Sequence, residues 1–230
     1  MPAVIASVRG RLWLLIHDDD LRPRIPAGAI GVGLVAAALT DLLLDGCVRV
    51  EQGRIHPQAD RSGPAGDAIA AEFLQAIVAE RMPRLAEVLR GVRSNRGGAR
   101  RSPYGRLYER TAAGFVDAGL LRRARLPIGR CRYRLAEPNL MSAIRAQLTD
   151  RLHDPQAPAG LDVDALCGLA WALDLHKGVC PGVTGEAERT LRDITELLPA
   201  RAGRGSALAV MPHLVRLVRS TAGSLTVAPF

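Results

Sequence analysis

Aromatic rings are scarce in this sequence, and lysine is nearly absent. Phe, Trp and Tyr make up 3% of its 230 residues. That is too few to line a sugar-binding cleft or to stack a run of nucleobases, which need several ring faces side by side. The core has to be built from Leu, Val, Ile and Ala, a composition that favours helices over a β-sandwich. Lys177 is the single lysine among 31 basic residues. It lies in no P-loop or comparable motif, so a lysine-dependent mechanism has only this isolated side chain to use. The four cysteines, Cys47, Cys131, Cys167 and Cys180, form no C-x-x-C pair. The first ten residues also lack the apolar stretch of a signal peptide, so a cytosolic chain with reduced thiols is expected. Long hydrophobic runs are missing as well. The longest uncharged one, residues 25–40, is interrupted by Pro and Gly at its start and is too short to span a bilayer. Residues 206–230 are apolar but broken by Pro212, His213, Arg216 and Arg219.

What is present is ordinary globular material: 48% hydrophobic and 23% charged residues in one 24.6 kDa chain. A chain of this size can bury a core without disulfide or metal staples. Residues 33–44 are rich in Ala and Leu and read as a helix buried on most sides, and residues 12–16 read as a buried strand or a first helical turn. An amphipathic helix is expected from about 67 to 90, kinked or divided by Pro83, and another from 107 to 120. Residues 121–135 read as a β-hairpin turning at 126–129. Loops or linkers are expected at 60–66, 91–103 and 155–160, and further helices at about 162–176, 186–198 and 206–220. Two segments, LLLDGCVRVEQGRI and FVDAGLLRRARLPIGRCRYRL, share the order helix, acid, Gly, strand, turn, strand. In both, the Gly is placed to supply a left-handed helix C-cap.

The net charge of +8 is segregated. Residues 81–134 hold fifteen arginines against Glu87, Glu109 and Asp117, whereas the rest of the chain carries 16 basic and 20 acidic groups. Within the hairpin, Arg122, Arg123, Arg125, Arg130, Arg132 and Arg134 occur with no acid among them. Alternation puts Arg130, Arg132 and Arg134 on one face and Cys131, Tyr133 and Leu135 on the other. Such a ribbon is either an edge protected by charge against aggregation or a binding face for a polyanion. An anionic membrane and DNA both supply the phosphates.

Other patterns are weaker. Gly31-x-Gly33-x-x-Ala36 resembles a dinucleotide fingerprint, but no strand leads into it, and close helix packing explains the small residues equally. The run His17-Asp18-Asp19-Asp20 is too short to complete a metal shell and fits a solvated loop. His176 and Cys180 have ligand spacing without a second pair, and Cys131 has no histidine placed to activate it. No metal, cofactor or catalytic residue is called. Trp13 and Trp171 are assigned to the core.

The collinear segments LWLLIHDDDLRP, GLVAAALTDLLLDGCVRV, GDAIAAEFLQAI, ERTAAGFVDAGLLRR and LDVDALCGLAWALDL resemble the GPP34 family, the Golgi phosphoprotein 3 group. The resemblance is to its bacterial, mostly actinobacterial, branch and covers about residues 10–225. It implies a mainly α fold, a central helical bundle surrounded by amphipathic helices with a projecting arginine-rich β-hairpin. It also implies a single domain over 1–230, whose ends, 1–10 and 221–230, are expected to be loosely ordered. The eukaryotic members are non-enzymatic proteins that bind phosphatidylinositol 4-phosphate on Golgi membranes and retain glycosyltransferases, and their hairpin takes part in membrane contact and self-association. Aligned without gaps, the family's headgroup tryptophan falls on Pro26 and its first arginine on Val35. Two further arginines fall on Gly105 and Tyr108, and Arg110 matches the last arginine of that run, which is not a pocket residue. A less specific anionic lipid is therefore expected here.

These readings converge on a non-enzymatic protein at the inner, cytoplasmic face of a membrane, binding anionic phospholipid. Arg106, Arg110, Arg122, Arg123, Arg125, Arg130, Arg132 and Arg134 would contact phosphates, with Arg106 and Arg110 sharing one helix face, and Leu126 and Ile128 would insert shallowly. Two alternatives stand beside this reading. One is a winged-helix DNA-binding regulator with 106–120 as recognition helix and 121–135 as wing. The other is an adaptor for client proteins that forms homo-oligomers through the hairpin.

Overall fold

The computed structural model describes residues 3–58, 67–91, 104, 106–125, 131–179 and 184–226. The expected loop at 60–66, linker residues 92–103, Gly105, Cys180 and the hairpin tip with Leu126, Ile128 and Arg130 lie outside the described residues. So do the side chains of Arg125, Cys131 and Arg132.

The described chain is mainly helical. It opens with a single turn, α1 (Ala3–Ala6), and then α2 (Val8–Leu15). Of the two readings left open for 12–16, the helical one holds. The Ser7 side chain accepts the Gly10 N–H and so starts α2 one residue later. Residues 8–10 form the first turn of this helix, and all eight residues of α2 are buried. The acidic run after it is a turn: the Asp18 carboxylate accepts the backbone N–H groups of Asp20 and Arg22.

Helix α3 (Ala27–Leu44) begins six residues before the expected start, because Pro26 tolerates the N-cap position and Ala-Gly-Ala-Ile-Gly continues the helix. It is long and apolar enough to cross a bilayer by length and composition, but 78% of it is buried inside the fold. The Gly31-x-Gly33-x-x-Ala36 pattern lies within this helix, with no strand before it. A Cβ on Gly33 would stand 2.5 Å from Leu173 Cδ1, so close packing against the end of α8 (Leu161–Ala172) accounts for the small residue.

Gly46 and Gly119, at φ 67° and 73°, follow α3 and α6 (Leu107–Asp117) as left-handed caps. Each cap turns the chain into an antiparallel hairpin. The first pairs β1 (Val48–Glu51) with β2 (Arg54–Pro57), and the second pairs β3 (Leu121–Arg125) with β4 (Cys131–Leu135). Between the hairpins the expected long amphipathic helix is divided at Pro83 into α4 (Ala68–Ala79) and α5 (Leu85–Gly91).

Helix α7 (Asn139–His153) is not anticipated by the sequence reading. Its buried residues Met141, Ile144, Leu148 and Arg151 form a narrow stripe within a polar segment, which gives little apolar periodicity to read. After α8 come a short turn, α9 (His176–Val179), and α10 (Thr184–Arg201), which runs through Pro199. A 3-10 turn, Ala207–Val210, leads into α11 (Met211–Thr226). Helices α3 and α8 are buried almost all round and form the centre. Helix α2, itself buried on every side, packs on them, and α10 and α11 do so with one apolar face each. In α10 that face is Ala187, Leu191, Ile194 and Leu198, at the i, i+4, i+7 spacing of an amphipathic helix.

A candidate anion-binding face

The β3–β4 hairpin is anchored at its base and charged above it. Leu121 is buried and pairs with half-buried Leu135. Trp13 of α2 gathers the rings of His17 (4.1 Å), Phe115 (5.4 Å), Tyr108 (5.5 Å) and Tyr133 (6.4 Å, edge-on). The few aromatics are thus spent largely on fixing the hairpin to α2 and α6. Sequence spacing gave no signal of this, because the rings come from α2 and the turn after it, α6 and β4, far apart in the chain.

His17 is the polar member of the cluster. Its Nδ1 lies 2.6 Å from the Trp13 carbonyl, an acceptor only, so this nitrogen carries the proton and donates. Nε2 then accepts from the Tyr108 hydroxyl at 2.9 Å. Burial holds the His17 pKa below its ordinary value, partly opposed by the bond to Trp13 and by Asp18. Burial also raises the Tyr108 phenol. The ring is thus a neutral strut tying α2 to α6.

The register distributes the arginines. Arg122 stands opposite Arg134, and both are exposed. Exposed Arg123 stands opposite Tyr133, and residue 132 opposite Ala124. Like charges directly opposite on two strands repel each other. Neither Arg122 nor Arg134 has an ion-pair partner among the described residues. Arg106 is exposed too, but at φ 58° it is the N-cap of α6 rather than part of the helix. Its carbonyl accepts the Arg110 N–H at 3.0 Å, one turn along. Arg110 is drawn elsewhere: its Nη2 lies 2.5 Å from Glu72 of α4, and the side chain is 27% exposed.

The cavities are different in kind. One of about 460 Å³ lies between α1, α4 and α6, and its two cations, Arg9 and Arg110, already hold Asp67 and Glu72. Another of about 340 Å³ is bordered by Arg151 and Arg201, both bound to Asp164. Among the described residues, the exposed hairpin arginines Arg122 and Arg134 have no carboxylate partner, unlike the cations lining these cavities. No group of three or more His, Cys, Asp or Glu capable of holding a metal occurs among the described residues.

The family model described as Golgi phosphoprotein 3 (GPP34) matches residues 10–213, from α2 into α11. The chain belongs to the GPP34 family. No curated protein matches it. The positions at which the sequence resemblance would place a headgroup pocket hold no cation. Pro26 caps α3, Val35 is fully buried within that helix, and Tyr108 is occupied with His17.

Proposed function

We propose that this GPP34 protein is a non-enzymatic peripheral membrane protein of the cytoplasmic face, docking on anionic phospholipid headgroups through the open basic surface of the hairpin and the start of α6. The observation that carries the reading is the opposed and exposed couple Arg122–Arg134, which has no ion-pair partner among the described residues, with Arg106 beside α6 and the further hairpin arginines 123, 125, 130 and 132 in the same chain segment. A basic residue near an anionic membrane contributes on the order of 1 kcal/mol. A handful of such contacts gives docking that is reversible and sensitive to salt. Contacts on an open surface select charge more than headgroup shape, so a generic anionic lipid is favoured over one inositide. Leu126 and Ile128 at the tip add shallow insertion in this reading.

The winged-helix reading is weaker for a structural reason. The outward positions of α6 are Glu109, Ala113 and Asp117, and two carboxylates on a recognition helix would repel the phosphates flanking a groove. Co-sedimentation with vesicles containing phosphatidylglycerol, against neutral phosphatidylcholine vesicles and a random-duplex gel shift at equal salt, tests the proposal. Binding to anionic vesicles alone is expected. Binding to the duplex alone overturns it.

A further inference from the structure

Arg81 and Met82, between α4 and α5, have φ values of 51° and 64°. This left-handed region disfavours any residue with a side chain, and two such residues in succession persist only where the surroundings hold them. Here the restraints come from the first hairpin. Ile55 N–H donates to the Pro83 carbonyl at 3.0 Å, and Leu85 N–H donates to the Gly53 carbonyl at 2.9 Å. Arg54 Nη1 donates to the Met82 carbonyl at 3.1 Å. Arg54 and Arg84 face each other across an isolated antiparallel bridge.

The consequence is an apolar knob in a basic ring. Val78 and Met82, four residues apart, are 55% and 45% exposed, and with Leu197 they are the large apolar side chains left exposed among the described residues. Arg81 and Arg84 flank Met82 along the chain and are exposed, as is Arg54, whose guanidinium reaches the Met82 carbonyl. No carboxylate pairs with any of these three arginines among the described residues. Of the two acids on the same turn, Glu80 and Glu87, the latter accepts the Arg84 backbone N–H at 3.4 Å.

We propose that the α4–α5 turn is a second membrane contact, distinct from the β3–β4 hairpin. Val78 and Met82 enter the interfacial layer of an anionic bilayer while Arg54, Arg81 and Arg84 take phosphates. The inference rests on the proposed lipid docking and gives it a second point of attachment. A bilayer is the occupant that fits both halves of the patch. A second copy meeting the same face across a two-fold axis would set arginines against arginines. A nucleic acid duplex offers phosphates but little to cover the apolar pair.

The test uses the full chain carrying M82W. Native Trp13 and Trp171, at 0% and 8% exposure, give a constant background. On phosphatidylglycerol-containing vesicles, M82W fluorescence should shift to shorter wavelength and be quenched by a spin label placed high on the acyl chain, with no change on phosphatidylcholine vesicles. The double variant R81Q/R84Q should lower the partition coefficient about thirtyfold, the factor two basic residues supply at an anionic surface. Protein that fails to sediment with anionic vesicles removes the parent reading and this one together. Protein that sediments with unchanged M82W emission and unchanged R81Q/R84Q partitioning overturns this inference alone. A shift seen with duplex DNA but not vesicles, or one that grows with protein concentration without lipid, also overturns it and assigns the knob to that partner.

Discussion

Arg151 is 4% exposed and gives its Nε–H to Asp164 at 2.7 Å, whereas Arg122 is exposed and stands opposite another arginine across a hairpin. The contrast extends to their neighbours. Arg9 holds Asp67, Arg11 holds Asp162, and Arg201 joins Arg151 on Asp164. In the core, arginine is a tie: Arg151 Nη1 also donates to the carbonyls of Asp154 and Ala157, pinning the 154–160 linker beside α8. The difference follows from where the acids lie. The buried arginines find carboxylates 13 to 151 positions away, while residues 81–134 carry fifteen arginines and three acids. Neutralising that segment would need most of the acids in the rest of the chain. The fold uses Glu72 for Arg110 and gives Arg122 and Arg134 no carboxylate partner among the described residues.

The largest test of this contrast is Asp164→Ala. Removing the carboxylate leaves two guanidiniums on a site that is 0% exposed and should cost about 3–5 kcal/mol in urea-unfolding free energy. Arg122→Gln should change it by less than about 0.5 kcal/mol. If both cost the same, the distinction between tie and free charge fails.

Next in size is a pH effect at Asp41. Its carboxylate accepts the Val8 and Arg9 backbone N–H groups at 2.7 and 3.2 Å, capping α2 from α3. Burial nevertheless pushes its pKa up to about 7, partly offset by Arg9. The folded state therefore keeps a proton that the unfolded chain releases above its ordinary value of 3.8. This contribution is full below about pH 4 and is lost as pH rises toward 7, a fall of roughly 4 kcal/mol in all. As pH rises from 4.5 to 7.5, wild type should lose about 3 kcal/mol of stability relative to Asp41→Asn. Parallel curves would show that Asp41 stays ionised in the fold.

His17 slopes the other way. Its folded pKa is depressed by burial, so its contribution is present above the unfolded value near 6.5 and declines as pH falls below it. Tyr108→Phe removes the acceptor-side bond to Nε2 and should cost about 1 kcal/mol at pH 7.5. Near-UV circular dichroism from the Trp13 cluster would report the same loosening at the hairpin base.

The parts of this fold legible from sequence are those with strong periodicity or punctuation. Ala- and Leu-rich α3, Pro83 dividing α4 from α5, and Gly46 and Gly119 as caps all follow from local chemistry. Helix α7 was illegible because its buried face includes Arg151, whose burial depends on Asp164 of the next helix, α8, rather than on any pattern within α7. The candidate face was legible as charge but not as geometry. Composition located the arginines, yet only a tertiary contact draws Arg110 to Glu72, and Arg106 caps α6 in the left-handed region. The knob at Val78 and Met82 was hidden inside what reads as one amphipathic helix.

The smallest stability effect is also the most telling. Arg122 and Arg134 oppose each other on an exposed hairpin, an arrangement that costs up to about 1 kcal/mol through like-charge repulsion. Arg134→Glu should turn that repulsion into attraction and raise the thermal midpoint slightly, by the few tenths of a kcal/mol typical of an exposed cross-strand pair. The same substitution should weaken sedimentation with phosphatidylglycerol vesicles by well over tenfold, since it deletes one positive charge and adds a negative one at the surface. A variant that is more stable and binds less would show that the opposed arginines are held for an external anion at the expense of the fold. A variant that loses stability would instead mean that Arg134 has a structural partner in the hairpin, and the contrast with Arg151 would be one of degree.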